Sequence, residues 1–288
     1  MSDPVPAVTE AGATGEIADI FADIRHVYQV GVVNLIWRHL ATFPGALPWV
    51  WESVRSVYVD GTIEREAAVL RASIALPDLP VFPAAALAAA GLGERDVEQI
   101  RAVLGAYDRT NAMALIALSA VDFKIAGAGS EYDSPVAERT EAPASSQAKL
   151  MLPSLLSLAE MSPETAELVV TMNRLGAQRN APILASMYRH LAHWPPYLAL
   201  AWTMIAPLDA DTHLDDAILD ALAKARASGR QVVARLPTPS LTLAHAVRAN
   251  VSHALDCFTS DLIAKMVVIS ALLRRATGRS ATENGSSA

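Results

Sequence analysis

His190 and His193 stand one helical turn apart. Imidazoles at that spacing can hold a metal ion from one helix face. No His-Glu-x-x-His pattern and no third ligand accompanies them, and His190 repeats a histidine of the first half, His39. That favours a structural role over metal binding. Cys257 is the sole cysteine. A nucleophilic thiol needs an activating neighbour; none is evident, so Cys257 reads as a small core residue. A single cysteine also provides no Cys-x-x-Cys redox pair. Gly127-Ala-Gly129 lacks the third glycine and the preceding strand of a phosphate loop, and there is no Gly-x-Ser-x-Gly elbow. No metal and no cofactor is expected.

The frame that must position these side chains is a repeated helical unit. Arg38-His-Leu-Ala41 recurs as Arg189-His-Leu-Ala192, 151 residues later. The same offset pairs Trp37 with Tyr188, Phe43 with Trp194, Pro44 with Pro195, Leu47 with Leu198 and Trp51 with Trp202. Upstream it pairs Ile17 with Leu168, Phe21 with Met172 and Ile24 with Leu175. Downstream it pairs Leu104 with Leu255, Tyr107 with Phe258, Leu115 with Met266, Ser119 with Ser270 and Ala120 with Ala271. Large apolar residues and chain-breaking prolines are what two copies must share to pack alike. Between Pro80 and Ile100 the register is expected to be lost, with compensating insertions.

The apolar spacing is helical throughout, as in Ile17, Ile20, Phe21, Ile24, Val27 and Tyr28. Ser162-Pro163 is a helix start, with serine as cap and proline at the first turn. Phe43-Pro44 and Trp194-Pro195 each close one helix and open the next. Ala84–Ala90 followed by Gly91 reads as a short helix with a glycine stop. Ala112–Val121 and Pro195–Leu208 are apolar but shorter than the roughly 20 residues of a membrane span, and read as buried core helices. The expected fold is all-α: two tandem repeats, 1–126 and 150–276, packed as a pseudo-dimer about a pseudo-twofold axis. A linker over 127–149 joins them and a frayed tail covers 277–288. A cleft between repeats is a natural place for a small ligand.

The 288 residues are 52% hydrophobic and 18% charged, with a net charge of −7. That composition argues for an extensive core. It argues against nucleic-acid or anionic-membrane partners, which need a basic face. Met1–Ile20 is acidic and lacks the pattern of a signal peptide. With a single cysteine, the expected location is the reducing cytoplasm. A monomer or a homodimer fits.

Five segments carry a family resemblance: Gly15-Glu-Ile-Ala-Asp-Ile-Phe-Ala-Asp-Ile-Arg25; Arg38-His-Leu-Ala-Thr-Phe-Pro-Gly45 with Leu47-Pro48; Leu87-Ala-Ala-Ala-Gly91; Ile100-Arg-Ala-Val-Leu104 with Asn111; and Ala185-Ser186 leading to Leu191-Ala-His-Trp-Pro195. Together they resemble the group I 2-haloacid dehalogenases, the all-helical, cofactor-independent type. The resemblance implies a pseudo-dimer with its active site between the repeats. It also implies an aspartate in the second repeat that activates a water for direct displacement of halide, helped by an asparagine of the first repeat. The asparagine falls on Asn111, at the start of the helix expected over Asn111–Val121. The residues before the aspartate fall on Ala185 and Ser186, and the aspartate itself on Met187. A thioether cannot deprotonate water. An apolar aromatic of the family pocket falls on the smaller Val32.

If the chain is active, then Asn111 acts with another base. Asp108, three residues earlier, and His190, three residues after Met187, are the candidates. Asp108 equally suits a helix cap, and His190 a structural role. The substrate-binding set expected from the resemblance is Val32, Asn34, Leu35, Ala185, Ser186 and Met187. Two functions follow: hydrolysis of a small organic acid, or a non-catalytic relative, structural or binding an apolar small molecule in a pocket that Met187 makes more apolar.

Overall fold

The computed structural model describes residues 5–127, 152–178 and 183–278. The expected linker and tail fall almost wholly outside them. Every regular element among the described residues is helical. The first half holds α1 (Gly15–Tyr28), α2 (Leu35–Leu40), α3 (Ala46–Val59), α4 (Thr62–Ser73), α5 (Ala84–Ala89) and α6 (Glu94–Ile125). The second holds α7 (Pro163–Arg174), α8 (Ser186–Leu191), α9 (Pro195–Ala210), α10 (His213–Val232), α11 (His245–Cys257) and α12 (Ala264–Thr277). A π-helical stretch, Phe258–Ile263, joins α11 to α12.

Local chemistry explains the boundaries. The Ser162 hydroxyl accepts the Thr165 amide at 3.2 Å, and Pro163 opens α7. Trp194 caps α9, and Pro195 occupies its first turn. Gly91 follows α5 with φ of +80°, a left-handed stop that suits glycine.

The offset of 151 residues recurs in the elements. It separates both ends of α2 and α8, the starts of α4 and α10, and the ends of α3 and α9. It also separates the starts of α6 and α11. The register expected to be lost before Ile100 is therefore in place again by Glu94, and α6 corresponds to α11, the π stretch and α12 together.

The centre of the molecule is α6 packed against α10, α12 and α4. Residues Ala112–Val121 of α6 are buried on every side. Alanines at 112, 114, 117 and 120 leave room for neighbouring backbones. Gly229 of α10 crosses there so closely that a Cβ would lie 2.9 Å from the Ser119 Cβ and 3.1 Å from the Ala120 nitrogen. Hydrogen bonds tie the two halves together: Trp194 Nε1 to Asp96 Oδ1 at 3.0 Å, Phe82 N to the Ala276 carbonyl at 2.7 Å, and Ala75 N to Asp220 Oδ2 at 3.1 Å.

Two sequence expectations change. The helix expected from Asn111 starts 17 residues earlier, at Glu94, so Asn111 lies inside a continuous helix. Pro195–Leu208 is not a buried core helix throughout. Tyr197, Leu198, Ala201 and Ile205 face inward, while Ala199, Trp202 and Thr203 are exposed.

Candidate active site

Four segments enclose a small cavity of about 30 Å³. That is room for one or two waters, or for a molecule of a few non-hydrogen atoms. The start of α2 supplies Asn34, Leu35 and Ile36, and the start of α8 supplies Ala185, Ser186 and Met187. α6 contributes Tyr107 and Asn111, one turn apart on one face. Opposite them stand Phe258, Leu262 and Ile263 of the π stretch, with Met266 of α12. The wider π turn lets the consecutive residues Leu262 and Ile263 both reach the cavity. Five pairs in this lining lie 151 residues apart: 34 and 185, 35 and 186, 36 and 187, 107 and 258, 111 and 262.

The walls are mostly apolar, with a few polar atoms directed inward. Asn111 Nδ2 is buried without a hydrogen-bond partner. Buried polar atoms are normally paired, so an orphan amide at the cavity suits a bound molecule. The Ser186 hydroxyl stands against the Tyr107 phenol. The Tyr107 hydroxyl bonds His190 Nδ1 at 2.9 Å, and His190 Nε2 is a second unpartnered buried atom. Burial holds the His190 imidazole down to about 4, helped by His193, Arg189 and Arg38. It is therefore neutral at physiological pH. Burial also pushes the Tyr107 phenol above its ordinary range.

The second-half wall is braced from behind. Asn173 Oδ1 accepts the Ala185 amide at 2.9 Å, and Asn173 Nδ2 donates to the Ile183 carbonyl at 3.1 Å. Lys265, fully buried, donates to the Asn173 carbonyl at 2.6 Å. Desolvation brings the Lys265 ammonium down to about 8, against the opposing pull of Asp261 and Asp209.

A smaller chamber of about 10 Å³ adjoins the cavity and shares Asn34 and Tyr107 with it. Val30, Val32, Ala106, Thr110 and Leu152 complete it.

The structure thus brings Asn34, Leu35, Ala185, Ser186, Met187 and Asn111 to one cavity. Val32 lies in the adjoining chamber. His190 lies behind Tyr107 and does not line the cavity. Asp108 is not brought in. It is buried in mid-helix, where its Oδ2 accepts from Arg274 at 3.0 Å and Arg71 at 3.5 Å. A carboxylate held by two guanidiniums in mid-helix does not cap α6, and Asp108 does not line the cavity. Neither does Cys257 belong to the deep core. It is half-buried at the end of α11, with His253 Nε2 3.5 Å away. His193 is exposed and bonds the Ser154 carbonyl at 2.8 Å. Among the described residues no three His, Cys, Asp or Glu side chains gather as metal ligands. No helix among them is long and apolar enough to cross a membrane.

Tyr107, Phe258, Leu262, Ile263, Met266 and Ile36 are the lining residues that motif reading passes over. The repeat offset holds a signal for several of them: applied to Asn111 it gives Leu262, and to Met187 it gives Ile36.

No family model matches the chain. A configuration-inverting 2-haloacid dehalogenase of Alcaligenes xylosoxydans xylosoxydans is 27% identical over 234 residues, 78% of this chain and 77% of that protein. A second, from Pseudomonas sp. (strain 113), is 27% identical over 203 residues, 68% of this chain and 65% of that protein. The resemblance to the group I 2-haloacid dehalogenases holds. Solved structures agree in fold. A D-2-haloacid dehalogenase mutant superposes with a TM-score of 0.74 at 18% identity, covering 96% of both chains. A D-2-haloacid dehalogenase in complex with L-LA gives 0.71 at 19% identity, over 96% of this chain and 97% of that one. This dehalogenase-like chain shares their all-helical architecture.

Proposed function

We propose that the chain is a 2-haloacid dehalogenase-like hydrolase of a small organic acid, built as a fused pseudo-dimer with its site between the repeats. The observation that carries this reading is the unpartnered Asn111 Nδ2 at a small cavity that Ser186 also lines. The five lining pairs at the repeat offset support the pseudo-twofold arrangement.

In this reading Asn111 and Ser186 orient the acid and a water. The water oxygen forms a bond to the α carbon as the leaving group departs with the bonding electrons. With Met187 in the place of the family's aspartate, the proton leaves by another route. The water gives its proton to the Tyr107 oxygen as the Tyr107 hydroxyl proton passes to His190 Nδ1. At about 4, His190 has the basicity of the carboxylate it replaces. Apolar walls exclude competing water.

Halide release from both enantiomers of 2-chloropropionate tests this directly. Activity should be lost in His190→Ala and Tyr107→Phe and kept in Asp108→Ala. A full rate in His190→Ala removes the proton route.

One observation favours a second reading, a non-catalytic binder. No Asp, Glu, Lys or Arg lines the cavity, and Met187 is fully buried. Met187→Asp separates the two. A wild type without turnover that gains halide release with this substitution is a binder on an otherwise intact scaffold.

A further inference from the structure

We propose that Lys265 and Asn173 are positioning residues for the cavity: together they hold Ala185, Ser186 and Met187 in the place where that wall meets a bound acid. The proposal rests on the organic-acid reading above. Three observations lead to it.

The first is a chain of contacts. Lys265 Nζ donates to the Asn173 carbonyl at 2.6 Å. The Asn173 side chain then grips the segment before α8, through the Ile183 carbonyl at 3.1 Å and the Ala185 amide at 2.9 Å. Ala185, Ser186 and Met187 line the cavity. Two carboxylates fasten the chain just after α7: Asp209 Oδ1 accepts the Gly176 amide at 2.6 Å, and Asp261 Oδ1 accepts the Gln178 amide at 2.9 Å. Both also attract the Lys265 ammonium.

The second is a contrast with the first half. The positions 151 residues before Asn173, Asp261 and Lys265 hold Ala22, Thr110 and Ala114. There the Val33 amide goes instead to Glu10 Oε1 at 2.9 Å, and Glu10 pairs with Arg25 where both are partly exposed. The third is burial. Lys265 and Asn173 are both buried. An ammonium withdrawn from water carries a desolvation cost, and Ala114 carries none. A buried charge also resists displacement, because moving away from its partners leaves it unpaired in an apolar surrounding. The backbone fixed in this way leads into one wall of the cavity.

The test uses the full chain, with amide hydrogen exchange and acetate titration followed by NMR. Lys265→Met and Asn173→Ala should each speed exchange at Ala185 about tenfold beyond any change at Ala114–Val121 of α6. Each should also weaken acetate binding about tenfold. The double variant should do no more than the stronger single one, because both act through one chain of contacts. Ile63→Ala truncates a buried side chain of α4 that does not line the cavity. It should speed exchange at Ala185 no more than in α6 and leave acetate affinity unchanged. If one brace variant does not fold, the other carries the same readings. Exchange that quickens no more at Ala185 than in α6 overturns the proposal, as do additive effects in the double variant. If acetate binding depends on Asn111 but is unchanged in both brace variants, the positioning role fails and the organic-acid reading stands. If wild type binds no acetate, or Asn111→Ala binds it equally well, the organic-acid reading fails and the positioning role with it.

Discussion

Tyr107–Ala112 of α6 and Phe258–Ile263 of the π stretch lie 151 residues apart in the chain, and both contribute to the lining of the cavity. The first is regular α-helix and presents a phenol and an amide. The second is widened and presents Phe258, Leu262 and Ile263. A symmetric pair of walls would offer a ligand the same chemistry twice. Here one wall is polar and the other apolar, the division that the proposed displacement at carbon would use.

The apolar wall should carry more of the stability. Phe258 is buried and stacks on the His39 ring at an interplanar angle of 27°, 5.5 Å between centroids. Phe258→Ala should cost about 3–5 kcal/mol through lost burial and an unfilled space. Tyr107→Phe keeps the ring and should cost about 1 kcal/mol for its hydrogen bond to His190. Urea unfolding, with midpoints compared at constant slope, measures both. Equal losses would mean that the two walls do not divide their roles in this way.

The helical fold was legible in the sequence through its three- and four-residue apolar spacing. Arg38-His-Leu-Ala41 and Arg189-His-Leu-Ala192 give an offset that also separates the bounds of α2 and α8 and relates residues of the two walls. The cavity was legible in part. Asn111, Ala185 and Ser186 carried a pattern, and Asn34 and Leu35 follow from their position beside it. The π stretch carried none: Phe258-Thr-Ser-Asp-Leu-Ile263 reads as ordinary helix, and only its packing shows that two consecutive side chains enter the cavity. The surroundings of Asp108 were not legible for a related reason. Local spacing put it near Asn111, but the guanidiniums that claim it come from α4 and α12, far along the chain.

The two halves also differ in buried charge, and pH should separate them. Lys265 stands where the first half has Ala114. Its folded value of about 8 lies below the ordinary 10.5, so the unfolded chain binds the proton more tightly. The Lys265 contribution to stability should therefore rise as pH increases from about 8 to about 10.5, by roughly 3 kcal/mol, while the buried tyrosines, whose phenols burial pushes up, draw the total down from about pH 10. His190 behaves like Lys265 in another window. Its folded value of about 4 lies below 6.5, so stability should fall by roughly 3 kcal/mol as pH drops from about 6.5 to about 4. Urea midpoints across pH, compared between wild type and variants, isolate each contribution. The difference between wild type and Lys265→Met should shift steadily from about pH 8 to about 10.5, and the difference between wild type and His190→Gln from about pH 6.5 to about 4. A difference between wild type and Lys265→Met that stays constant from about pH 8 to about 10 would show that the Lys265 ammonium is not held down by burial.

The smallest expected effect is the most informative about function. Asn111→Leu makes the polar wall resemble its counterpart, because Leu262 already stands at the equivalent position. An ordinary buried asparagine is paired, and removing it destabilises. Asn111 Nδ2 is unpartnered, so its burial without ligand carries a cost that leucine relieves. The variant should gain about 1 kcal/mol in stability while losing roughly tenfold or more in affinity for a small acid. Thermal unfolding and NMR titration on the same sample give both values. A variant that loses stability and keeps its affinity would show that Asn111 serves packing, and that the asymmetry between the walls has no bearing on ligand binding.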